Sequence, residues 1–129
     1  MSHYVPLLEL TQLQLELKNE PNVGIVDIWA EPRDATFYVV LKNSEPVAVA
    51  TVCGSTNCPE LYKLYVIPAS RRLGIAEKLF NHVMLSVTHA GAKELLVETT
   101  GKSALFWGEI VNQHHDVEHM GSTHKAFKL

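Results

Sequence analysis

Cysteine is scarce in this chain of 129 residues: Cys53 and Cys58 are the only two. They form no paired CxxC motif, which excludes the thiolate-rich zinc sites. No apolar run approaches the roughly 20 residues that a helix needs to cross a bilayer. Positive charge is also short. Eleven Lys and Arg stand against 14 Asp and Glu, a net charge of −3, which argues against a general nucleic-acid binder. Internal repeats, low-complexity tracts and linkers are missing, so residues 1–129 are expected to form a single domain around one core. The first residues, Met1-Ser2-His3-Tyr4-Val5-Pro6, lack the basic-then-apolar order of a secretory signal. The expectation is a cytoplasmic protein with both cysteines as reduced thiols.

What is present is an ordinary globular composition, 47% hydrophobic and 19% charged. Within it, one junction breaks a local rule. Leu61 to Ile67 is rich in β-formers, and Pro68 ends the ladder because it has no N–H to give. From Ile75 the period becomes helical, with Ile75, Leu79, Val83 and Val87 stacked at i+4 and Ala76, Phe80 and Met84 beside them. Between the two stand Arg71 and Arg72, just before a helix N-terminus, where the macrodipole disfavours cations. An anion docked on the free N–H groups of the first turn would turn that fault into a fit. Gly74 would let a phosphate approach the backbone, and Ala76 keeps the next turn slim.

The rest of the chain reads as alternating short elements. Tyr4 to Leu10 is expected as a first strand, and Thr11-x-x-Gln14 as a capping box opening a short helix to about Asn19. Val23 to Trp29 is helix or strand by pattern, with helix favoured. Thr36 to Leu41 and Pro46 to Cys53 are strands around the polar turn Lys42-Asn43-Ser44-Glu45. Glu60 to Ile67 is a third. The helix from about Gly74 to Ala90 ends at Gly91, a C-cap glycine. Lys93 to Thr99 reads as a strand buried on both faces. Lys102 to Val111 is a short helix, and His115 to Met120 and Lys125 to Leu129 are weaker strands. The fold class is α/β (α+β): a mixed, largely antiparallel sheet flanked by helices, with a crossover through the long helix.

At the junction, Arg71-x-x-Gly74-x-Ala76 resembles the Arg/Gln-x-x-Gly-x-Gly/Ala signature of the GNAT-type N-acetyltransferases. The six-residue pattern is short. Leu-Tyr-Val-x-Pro before it and an amphipathic helix after it add weight, and the resemblance runs from about Ala35 to Val111. It implies that acetyl-CoA is the co-substrate, with its pyrophosphate on the N–H groups of Leu73, Gly74, Ile75 and Ala76 and with Arg71 and Arg72 as counter-charge. It implies too that the pantetheine arm pairs with the strand bearing Leu64, Tyr65 and Val66, whose Val66 N–H would serve the oxyanion. No metal is implied.

Glu60 is the candidate base, eleven positions before Arg71, where some histone-directed members of the family carry a catalytic glutamate. Strict alternation would put it on one face with Tyr62, Leu64 and Val66. The competing reading is a solvated strand-end glutamate with water as base; Glu98 is the second choice. The family's usual Phe-Tyr pair is here Phe106-Trp107. An indole donates a hydrogen bond but is no useful acid, so the thiolate leaves unassisted, Tyr65 or another tyrosine substitutes, or the domain binds coenzyme without catalysis. Ser103 could reach the pantetheine arm or simply cap its helix. His114, His115, His119 and His124 crowd the tail and are read as surface histidines rather than a metal site. The reading is an N-acetyltransferase that acts by direct attack of a primary amine, on a small molecule or peptide, in a ternary complex. The alternative is a non-catalytic acyl-CoA-binding module. The oligomeric state stays open, a homodimer included.

Overall fold

A computed structural model describes residues 7–20, 35–71, 73–98, 117–120 and 124–129, with backbone alone at 7, 98, 118–120, 124 and 125. Helix α1 (Leu7–Lys18) comes first, followed by strands β1 (Thr36–Lys42), β2 (Glu45–Gly54) and β3 (Pro59–Val66). A 3-10 turn at Pro68–Ser70 leads to helix α2 (Ile75–His89), then strands β4 (Glu94–Glu98), β5 (Val117–Met120) and β6 (His124–Lys128). Among the described residues the strands form one sheet in the order β1-β2-β3-β4-β6-β5. Every pairing is antiparallel except β3 with β4, the pair joined through α2. This is the mixed, largely antiparallel sheet expected from the sequence.

Strand β2 is buried from Pro46 to Cys53 because a helix covers each of its faces. On one face Ala48, Ala50 and Val52 meet Leu79, Phe80, Val83 and Val87 of α2. The small alanines let the helix come close. Phe80 meets Phe127 of β6 edge-on at 5.0 Å between ring centroids, which ties α2 to the far side of the sheet. On the other face Val49 and Tyr65 pack against Leu10, Leu13 and Leu17 of α1.

Local chemistry fixes the corners. Asn43 and Ser44, both at positive φ, make the two-residue hairpin turn between β1 and β2. Helix α2 ends in a Schellman motif: the Ala92 N–H donates to Val87 O and the Gly91 N–H to Thr88 O, with Gly91 at φ 103.

Two expectations are overturned. Leu7 to Leu10 is the first turn of α1 rather than a strand, so Thr11 and Gln14 lie inside the helix and form no capping box. The leucines sit on most sides of this helix: Leu10, Leu13 and Leu17 are buried while Leu8 and Leu15 are exposed. That blurs the helical period in the sequence. The second concerns the faces of β3. The β2–β3 register shifts between Thr51 and Val52, so Thr51 pairs with Lys63 but Val52 with Leu61. Tyr62 is the extra residue of a β-bulge. Glu60 therefore shares the α1 face with Lys63 and Tyr65, opposite to Leu64 and Val66. The segments Val23 to Trp29 and Lys102 to Val111 lie outside the described residues.

Thr51, fully buried on that α1 face, has a hydroxyl with no hydrogen-bond partner among the described residues. A buried unpaired polar group costs roughly 1–3 kcal/mol. Thr51→Val is expected to raise stability by about 1 kcal/mol in urea unfolding; a loss would mean that the hydroxyl has a partner after all.

Candidate active site

The site begins with an unequal strand. The Ile67 N–H donates to Val47 O at 2.9 Å, so Ile67 turns its backbone toward β2. Successive residues alternate, so Tyr65 also faces β2, while the backbone groups of Leu64 and Val66 face the other edge. On that edge the ladder to β4 holds two pairs among the described residues, Glu60 with Leu96 and Leu61 with Val97. Beyond Leu61, β3 continues with a side that could receive an extended, amide-bearing chain. The Val66 carbonyl there accepts the Arg71 Nε–H at 2.9 Å. Of the three residues expected to contact such a chain through the backbone, Leu64 and Val66 face the open edge. Tyr65 does not, because its own pairing turns it to β2.

The 3-10 turn delivers the chain from β3 to α2. Gly74 is the N-cap of α2, at φ 76 and ψ 10, and among the described residues no side chain caps the helix. The Lys78 N–H reaches Gly74 O at 3.1 Å and closes the first turn. The N–H groups of Ile75, Ala76 and Glu77 precede that bond and have no intrahelical acceptor, so they and the helix dipole suit an anion. A Cβ built on Gly74 would meet nothing within 4 Å among the described residues. Leu73 beside it is exposed.

Arg71 is where the structure adds what the sequence did not show. Its Nη2 lies 2.6 Å from Glu20 Oε1. Its guanidinium also stands over the Tyr65 ring, 5.8 Å from the centroid. The Tyr65 hydroxyl donates to the other Glu20 oxygen. The cation before the helix N-terminus thus has a carboxylate partner inside the protein. Arg72 lies outside the described residues. Tyr65 is 3% exposed. Burial, then the hydrogen bond and charge of Glu20, push its hydroxyl well above the usual phenol range, with Arg71 pulling the other way. A hydroxyl so held is a poor acid for a departing thiolate, which removes Tyr65 as the substitute donor. Glu20 was missed in the sequence; an acid between the end of a helix and Pro21 carries no distinctive signal.

Glu60 pairs with Leu96 and lies opposite Cys53, one residue before the point where the two-pair ladder ends. Burial, then the Glu60 charge, raises the Cys53 thiol above its usual range. Cys58 Sγ donates to Glu94 Oε1 at 3.4 Å, and Lys128 Nζ lies 2.5 Å from Glu94 Oε2. Burial and then the Glu94 hydrogen bond push Cys58 up as well. Both are free thiols and poor nucleophiles. Glu98 closes β4, its backbone paired with His124. Ser103, Phe106, Trp107, His114 and His115 lie outside the described residues. Among the described residues no three His, Cys, Asp or Glu side chains are grouped to hold a metal ion. A groove of about 390 Å³ lies at the other end of α2, lined by Tyr38, Cys53, Ser55, Ser86 and Ala90 among others; the described residues of the Arg71–Ala76 loop are not among its walls.

Residues 6–105 match the model of the acetyltransferase (GNAT) family. The chain belongs to the GNAT acetyltransferase family. No curated protein matches the sequence closely. Solved GNAT structures share the fold at low identity. A GNAT-family acetyltransferase from Staphylococcus aureus Mu50 superposes with TM-score 0.74 at 19% identity, over 99% of this chain and 97% of that one. The ribosomal-protein-S18-alanine N-acetyltransferase from Escherichia coli gives 0.74 at 12%, over 98% and 91%. The PaiA N-acetyltransferase from Thermoplasma acidophilum, solved with coenzyme A, gives 0.63 at 18% over 74% of this chain, which spans 62% of that protein.

Gly74→Glu tests the GNAT loop. Positive φ strains any side chain by roughly 1–3 kcal/mol, but no described residue stands in its way. The variant is expected to fold with a lowered melting temperature and to lose coenzyme A binding in calorimetric titration. Parental affinity would place the phosphates elsewhere.

Proposed function

We propose that the protein transfers an acetyl group from acetyl-CoA to a primary amine of a small molecule or peptide, by direct attack in a ternary complex. The observation that carries this reading is the continuity of the open β3 edge with the uncapped N-terminus of α2. A pyrophosphate on the Gly74–Ala76 amides would lie at the Val66 end of β3. The pantetheine amides would then run back along the edge toward Leu61. At about 3.3 Å per strand residue, four or five residues of β3 span roughly 15 Å. That path leads the thioester toward the end where the β3–β4 ladder closes, next to Glu60.

The chemistry follows from that placement. The amine nitrogen bonds to the thioester carbonyl carbon, and the carbonyl oxygen becomes an oxyanion. An edge-facing backbone N–H of β3 near its Leu61 end is the class of donor this charge needs, so this path takes the role away from Val66 at the phosphate end. The carbon–sulfur bond then breaks and coenzyme A leaves as the thiolate, with a reference pKa of about 8.5 for a thiol. Glu60, or water held by it, takes the amine proton. The raised thiols of Cys53 and Cys58 support attack without an acyl-cysteine.

Coenzyme A is expected to raise the melting temperature, by the equivalent of ~2.7 kcal/mol at 100 times its dissociation constant. No shift at millimolar coenzyme would overturn the proposal. Glu60→Gln is expected to lower thiol release at neutral pH by roughly 10²–10⁴-fold if the carboxylate is the base, with coenzyme affinity unchanged. An unaltered pH–rate profile would give the role to bulk water or to Glu98.

A further inference from the structure

Glu20 sits just past the end of α1, held there by its own N–H donating to Leu17 O at 3.0 Å. Its side chain is 12% exposed and spends both oxygens on the coenzyme side of the molecule. One oxygen meets Arg71 at 2.6 Å and the other takes the Tyr65 hydroxyl. Arg71 in turn donates Nε–H to the Val66 carbonyl. Glu20, Arg71 and Val66 therefore form a chain from α1 to the open edge of β3 and the start of the α2 loop.

We infer that Glu20 is a positioning residue for coenzyme binding, acting through Arg71; this rests on the coenzyme reading above. A free arginine beside a phosphate site must surrender its rotamer freedom when the phosphate arrives. Here the guanidinium is clamped in advance between a carboxylate, a carbonyl and an aromatic face. Its planar fork has five donors, of which these contacts use two, so it can hold Glu20 and Val66 and still offer N–H groups to an anion. Preorganisation of this kind raises affinity by lowering the ordering cost of binding. The same clamp fixes the direction of the Val66 carbonyl and, with it, the edge on which the pantetheine arm would pair. Local repulsion between Glu20 and a pyrophosphate is offset because Arg71 neutralises the carboxylate.

The test is a double-mutant cycle read as the dissociation constant for coenzyme A in calorimetric titration. Glu20→Ala is expected to weaken binding about tenfold, or about 1.4 kcal/mol. Glu20→Gln, whose amide oxygen can still accept one of the two donors, is expected to recover most of it. The double variant Glu20→Ala/Arg71→Ala should bind no worse than Arg71→Ala alone, because Glu20 acts through Arg71. Removing Glu20 also strands the buried Tyr65 hydroxyl. The cycle is therefore repeated in a Tyr65→Phe background, where no such donor is left and the fold is not at stake. Unchanged or tighter coenzyme binding in Glu20→Ala, or effects that simply add in the double variant, would overturn the inference while the parent still binds. A parent that does not bind coenzyme A overturns the coenzyme reading itself, and this inference with it.

Discussion

Among the described residues, strand β3 is paired on one side from Pro59 to Val66, save the bulged Tyr62, and on the other only at its beginning, and the architecture of the site depends on that inequality. The β2 ladder holds β3 from Pro59 to Val66. The β4 ladder holds it at Glu60 and Leu61 among the described residues. Backbone amides are obligatory hydrogen-bonding groups, so an open edge inside a sheet asks for water or a ligand. The direction of that edge is set by β2, whose Val47 carbonyl takes the Ile67 N–H and so turns Leu64 and Val66 outward. The edge can be held this rigidly because β2 is buried between two helices.

The second constraint is electrostatic. A cation near a helix N-terminus opposes the dipole, and the protein answers it with Glu20. Arg71 consequently has two jobs. It links α1 to the sheet through Glu20 and Tyr65, and it stands at the entrance to the loop whose amides are uncapped. The raised Tyr65 hydroxyl belongs to the same arrangement, since burial and Glu20 both favour its protonated form. A phenol recruited into holding a carboxylate is withdrawn from acid catalysis.

Much of the fold was legible along the chain. The hairpin turn at Asn43-Ser44, the break at Pro68, the period of α2 and the glycine after it are local signals, each confined to a few neighbours. They placed β1 to β4 and α2 within one or two residues of the observed ends. The two weak tail segments also appear as β5 and β6. The helix to about Asn19 was expected, but the first turn of α1 was misread as a strand because its leucines point to both core and solvent. The side of the sheet occupied by Glu60 was misread because a one-residue bulge at Tyr62 reverses every facing beyond it.

The sequence by itself determined the strand–loop–helix unit from Leu61 to Val87 and its resemblance to the GNAT acetyltransferases. β-propensity, a proline, a helix-period stripe and a glycine at positive φ all act over distances of a few residues. Only the tertiary structure decided which face each β3 side chain takes, because a bulge is a property of two strands in register and not of one. It also decided the partner of Arg71. Tyr65 and Glu20 meet although they stand 45 positions apart. Nothing in the spacing of an acid before a proline announces the cation it will hold; that pairing exists only once α1 has packed its leucines onto Val49 and Tyr65.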